Sequence, residues 1–125
     1  MRHMTILLVE DCRIERQLLA ALLRRRGYDV RVVSSGHGAV HFLCAARPDL
    51  VILDLYMPDV NGVEVLRMMK QERAWRDIPV IVFSGSPQRR HEVEQLGARA
   101  FIRKGRGGWD ALSKTIPACA GVRAA

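Results

Sequence analysis

The chain is short of cysteine, aromatic residues and long apolar runs, and each shortage excludes something. Its three cysteines, Cys12, Cys44 and Cys119, are an odd set without paired spacing, so neither a disulfide framework nor a zinc site is indicated. No apolar run approaches the roughly 20 residues that cross a bilayer. The start, Met1-Arg2-His3-Met4-Thr5, leads into a short apolar segment ending at Glu10-Asp11, without the longer core and cleavage site of a signal peptide. A cytoplasmic protein is expected. Aromatics make up 6% of the chain, and no helix-turn-helix or aromatic-studded strand is visible, so nucleic acid is not expected as a partner.

What is present suits an ordinary globular protein. Hydrophobic residues are 49% and charged residues 26% of the chain, which excludes disordered and fibrous classes. A length of 125 residues allows one domain, residues 1–125, around one core, with no room for a separate output domain. The net charge of +7 is uneven, +1 over residues 1–62 and +6 over residues 63–125. By itself that excess would attract either nucleic acid or an acidic protein face.

Short apolar runs alternate with segments of helical period. Residues 5–9 read as a buried strand. Ile14, Leu18 and Leu22, with Leu19 and Leu23, put an apolar stripe on a helix ending near Arg26, with Gly27 past it. Tyr28, Val30 and Val32 alternate with Asp29 and Arg31 as an edge strand would. Val40 and Leu43 mark a second helix, residues 50–53 a second apolar strand, and Leu66 and Met69 a third helix beyond a loop at 57–62. Pro79 introduces a strand at 80–83, Val93 and Leu96 lie on a helix closed by Gly97, residues 100–102 form a short strand, and Trp109, Leu112 and Ile116 define a last helix. Fraying is expected from about residue 117, where Pro117 stands. Five strand-then-helix units imply a parallel sheet with helices on both faces, an α/β fold.

In such a sheet all strands point their carboxyl ends to one edge, where ligands bind at the reversal of strand order. Glu10-Asp11 follows the first strand, Asp54 the third, Ser84 the fourth, and Lys104 lies just past the last. Each could be a helix cap. Capping explains neither the acid pair nor the lysine, whereas three converging carboxylates repel one another and call for a hard cation such as Mg²⁺.

The segments Leu8-Val9-Glu10-Asp11, Leu53-Asp54-Leu55-Tyr56-Met57-Pro58-Asp59-Val60-Asn61-Gly62, Phe83-Ser84-Gly85 and Phe101-Ile102-Arg103-Lys104 resemble the receiver domain of two-component response regulators over nearly the whole chain. The resemblance implies a flavodoxin-like, doubly wound sheet of order 2-1-3-4-5. By analogy Asp54 accepts a phosphoryl group from a phosphohistidine on a sensor histidine kinase or phosphotransfer protein. Asp11, Asp54 and the backbone carbonyl of Tyr56 then bind Mg²⁺ directly, and Glu10 acts through a water. Lys104 and Ser84 meet the phosphoryl oxygens, Gly85 permits their close approach, and Ser84 and Phe101 form the switch that turns inward in the active state. The implied protein is a signalling switch, not an enzyme turning over an external substrate.

Two departures carry expectations. The family usually has proline after the lysine, but here Gly105 follows, so a trans peptide is expected, with Gly105, Gly107 and Gly108 loosening the loop. Tyr56 lies where its ring would shield an acyl phosphate from water and slow its loss. Gly62 is expected to supply a positive-φ turn. Cys12 reads as a helix-start residue, since nearby carboxylates depress thiol reactivity. Arg89, Arg90, Arg99, Arg103 and Arg106 fall on the fourth helix, the fifth strand and the turn after it, the family's output face, and suit an acidic effector or a second copy. A dehalogenase-type phosphatase also uses a strand-end aspartate, yet its second aspartate is replaced here by Tyr56. A basic nucleic-acid-binding module is the other alternative.

Overall fold

The computed structural model describes residues 3–121. Strands β1 (Thr5–Val9), β2 (Asp29–Val33), β3 (Leu50–Leu53), β4 (Val80–Ser84) and β5 (Ala100–Arg103) alternate with helices α1 (Arg13–Arg25), α2 (Gly36–Ala45), α3 (Gly62–Gln71), α4 (Arg90–Leu96) and α5 (Gly108–Gly121). All strand pairings are parallel, in the order β2-β1-β3-β4-β5. The flavodoxin-like arrangement is as expected.

The continuous apolar strands produce two cores because successive side chains leave a strand on opposite faces. Leu7, Val9, Val51, Leu53, Val80 and Val82 point to the side covered by α2, α3 and α4. Ile6, Leu8, Leu50, Ile52, Ile81 and Ile102 point to the side covered by α1 and α5. Edge strand β2 buries Val30 but leaves Val32 exposed.

Helix α1 departs from its expected stripe. Leu19, Ala20 and Leu23 are buried, while Ile14 and Leu18 are 77% and 60% exposed. The 14/18/22 line lies about 100° around the helix from the 19/23 line, so its apolar arc is wider than the contact the sheet offers. At the other end, α5 continues past Pro117, and Cys119 is packed in the core. Residues 122–125 of that tail lie outside the described residues.

Two glycine expectations need correction. Gly62 does not have positive φ; a Cβ there would stand 2.2 Å from the carbonyl oxygen of Asp54, so close packing of α3 on the end of β3 is what requires glycine. Gly108 is likewise packed, with a Cβ falling 2.7 Å from the carbonyl of Arg103, whereas Gly105 and Gly107 do adopt positive φ. No cis peptide occurs among the described residues, in line with the expected trans bond at 104–105.

Candidate functional site

Backbone ladders extend one residue beyond several strands and set the site. The Glu10 N–H donates to Val33 O (3.1 Å), the Asp54 N–H to Val9 O (3.0 Å) and the Lys104 N–H to Ser84 O (2.9 Å). These bonds bring Glu10, Asp11, Asp54, Ser84 and Lys104 to one edge of the sheet, where β1 and β3 are neighbours and the chain order reverses. One carboxylate oxygen from each of Glu10, Asp11 and Asp54 lies within 4.8 Å of the others.

Lys104 answers this negative charge. Its ammonium lies 2.5 Å from Glu10 Oε1, 3.3 Å from Glu15 Oε2 and 3.7 Å from Asp54 Oδ2. The other Glu10 oxygen accepts the Cys12 N–H at 3.2 Å. Arg16 Nη1 donates to the carbonyls of Glu10 (3.0 Å) and Asp11 (3.2 Å), tying the first turn of α1 to the acidic corner. Sequence reasoning missed Glu15 and Arg16; their one signal was a charged pair in the first turn after the acidic residues.

The electrostatics follow from burial. Glu10 is 2% and Asp54 6% exposed. Burial pushes the Glu10 carboxyl up to about 7 against the opposing hydrogen bond from Lys104, and the Asp54 charge adds to the rise. Burial raises Asp54 as well, opposed by the Lys104 charge and by hydrogen bonding from Glu10 and the Tyr56 and Leu55 backbone. For Lys104, burial alone would lower the pKa; the Glu10 hydrogen bond and the charges of Asp54, Glu10 and Glu15 outweigh it and hold it above the ordinary value. One partly buried ammonium thus serves three carboxylates, and a shortage of positive charge remains. A set of hard oxygen donors with that shortage fits Mg²⁺.

The other expected residues are placed as follows. Ser84 is fully buried at the end of β4, its Oγ accepting the Ser86 N–H at 3.4 Å. A Cβ on Gly85 would meet nothing within 4 Å, so the chain's own packing does not demand glycine there. Tyr56 is half-exposed at the rim. Phe101 points into the core, 8% exposed, with the Arg90 guanidinium 5.6 Å from its ring centroid. The arginine cluster is partly neutralised within the chain, Arg89 pairing with Glu92 (2.8 Å) and Arg90 with Glu94 (3.3 Å). Cys12 is exposed and precedes α1 without a side-chain cap.

The loop between β3 and α3 is tied down on both sides. Asp59 accepts the N–H groups of Gly36 (3.1 Å) and His37 (2.9 Å) at the start of α2, and Asn61 caps α3 by accepting the Glu64 N–H at 3.0 Å. The hydrogen bond from the His37 N–H, with further help from Gly36, holds Asp59 down to about 2.

Residues 6–116 match the family model described as the response regulator receiver domain. Over 107 residues, 82% of the chain, it is 34% identical to the sensory/regulatory protein RpfC of Xanthomonas campestris, but spans only 15% of that protein's length. It is 30% identical over 102 residues to the polar-differentiation response regulator DivK of Brucella ovis, covering 80% of this chain and 83% of that one. In three dimensions it is similar to the response regulator TrrA of Thermotoga maritima, solved in complex with Mg²⁺ and BeF, with a TM-score of 0.85, 26% identity and coverage of 93% and 98% of the two chains.

Proposed function

This chain belongs to the response regulator receiver domain family, the phosphoacceptor switches of two-component signalling, and we propose that Asp54 is its acceptor. The observation that carries this is the position of Asp54: it lies at the carboxyl end of β3, in a carboxylate cluster within 4.8 Å and 3.7 Å from the Lys104 ammonium.

An oxygen of Asp54 attacks the phosphorus of a phosphohistidine; the P–O bond forms as the P–N bond breaks, and the electron pair returns to the imidazole. Glu10, Asp11, Asp54 and the Tyr56 carbonyl would hold Mg²⁺, which when bound supplies charge neutralisation for the transferring group. Lys104, once it exchanges a carboxylate for a phosphoryl oxygen, balances charge from the opposite side. The Ser84 hydroxyl donates to another oxygen, and the open space at Gly85 lets the backbone approach. Ser84 and Phe101 convey the change to the surface of α4 and β5, where the arginines meet an acidic effector or a second copy. Tyr56 shields the acyl phosphate, so Tyr56→Asn shortens its lifetime.

We read residues 1–125 as one receiver domain and the cytoplasm as its compartment. Its partner upstream is a histidine kinase or phosphotransfer protein, and the chain acts as a switch, without turnover of an external substrate. The test is incubation with a small phosphodonor and Mg²⁺, read by intact mass. Wild type gains one phosphoryl group and Asp54→Asn gains none. Equal labelling of both would overturn the assignment.

A further inference from the structure

Helix α1 contributes a charged residue to the site that none of the expected roles uses. Glu15 stands in its first turn and reaches across to Lys104, 3.3 Å from the ammonium. The helix is held for this contact, because Arg16 binds the carbonyls of both Glu10 and Asp11 and so fixes the first turn against the acidic corner. Glu15 is thus a further contact of the ammonium beside Glu10 at 2.5 Å. The residues after Lys104 include positive-φ Gly105 and Gly107, and a Cβ on either would meet nothing within 4 Å, so no side chain of this turn packs beside the lysine.

We propose that Glu15 is a positioning residue that competes with the phosphoryl group for Lys104 and biases the domain toward its unphosphorylated arrangement. The proposal rests on the functional reading of Asp54. To touch a phosphoryl oxygen on Asp54, the ammonium must loosen its hold on the carboxylates that now share it. Glu10 and Asp54 remain needed in both states, as metal or acceptor groups. Glu15 has no part in holding phosphate or metal and acts only on the unphosphorylated side of the balance. Since Glu15 is half-exposed, water screens the effect and keeps it modest.

The test is titration with beryllofluoride, a phosphoryl mimic, at fixed saturating Mg²⁺, followed by tryptophan fluorescence. Glu15→Gln binds the mimic about two- to fivefold more tightly than wild type. Asp29→Asn, which removes a carboxylate in register with Thr5 at the opposite end of β1, leaves affinity unchanged. In a Lys104→Met background the Glu15→Gln gain disappears, which a general charge effect or a loss of helix stability would not produce. Unchanged or weaker binding by Glu15→Gln, or the same gain with and without Lys104, would overturn the proposal while leaving the reading of Asp54 intact. Failure of the wild type to bind would overturn both.

Discussion

The ion pairs at the carboxyl edge of the sheet and those on α3 and α4 use the same residue types in opposite environments. Around Lys104, whose side chain is 16% exposed, three carboxylates share one cation, and burial leaves Glu10 and Asp54 reluctant to ionise. On the helices each arginine has a glutamate at helical spacing: Arg67 with Glu64, Arg89 with Glu92, Arg90 with Glu94, all substantially exposed. Water already stabilises the second group, so its pairing contributes little. The first group is held in an unfavourable state by the fold, and such a state has free energy to release when a cation or a phosphoryl group arrives.

Breaking the buried set has the largest effect. Lys104→Met removes the ammonium nearest the three carboxylates and should cost roughly 3 kcal/mol of stability at pH 8 without metal, measured by urea unfolding. Added Mg²⁺ should restore much of it. A loss under about 0.5 kcal/mol, as for a surface pair, would erase the contrast.

Glu10→Gln should act with the opposite sign. A carboxyl raised to about 7 in the folded state from 4.5 destabilises the fold once ionised, so the amide should add roughly 1–3 kcal/mol at pH 8 in metal-free protein. The native state binds the extra proton between those two values. The gain should therefore shrink as pH falls through 7 and vanish near 4.5. By the same linkage, Mg²⁺ competes with a proton and should bind more weakly below pH 7, which calorimetry across pH would register.

The tether of the β3–α3 loop offers an intermediate case, a carboxylate satisfied by backbone N–H groups. Asp59→Ala should cost about 1 kcal/mol at neutral pH. Because Asp59 is depressed from 3.8 to about 2, its contribution is complete above 3.8 and lost as pH falls toward 2, so wild type and variant should converge in acid unfolding. The smallest effect belongs to Glu92→Gln, whose solvated pair with Arg89 should contribute little and be abolished by salt. A loss as large as that of Lys104→Met would show that the helix pairs are not the solvated kind.

The fold and the acidic residues were legible in the sequence to different depths. Residues 5–9 and 50–53 announce buried strands because both of their faces are covered, and Gly27 and Gly97 mark helix ends, both with positive φ in the structure. Glu10, Asp11, Asp54, Ser84 and Lys104 were found because strand ends in a parallel sheet converge. Glu15 and Arg16 were not, since a charged pair at the start of an amphipathic helix resembles any solvated turn; only the approach of the first turn of α1 to the residue after β5 makes Lys104 a partner of Glu15 across 89 residues. The α1 stripe misled for a related reason, because periodicity shows which residues are apolar but not how wide a surface awaits them.

Local pattern, then, determined the elements, their alternation and which residues would stand at strand ends, because side-chain period and strand direction are short-range properties of the chain. Tertiary structure alone decided how many carboxylates one lysine must serve, how deeply they are buried, and that Gly62 is required by the Asp54 carbonyl and not by its own φ. Those depend on distances between segments far apart in sequence and on the water that their packing excludes.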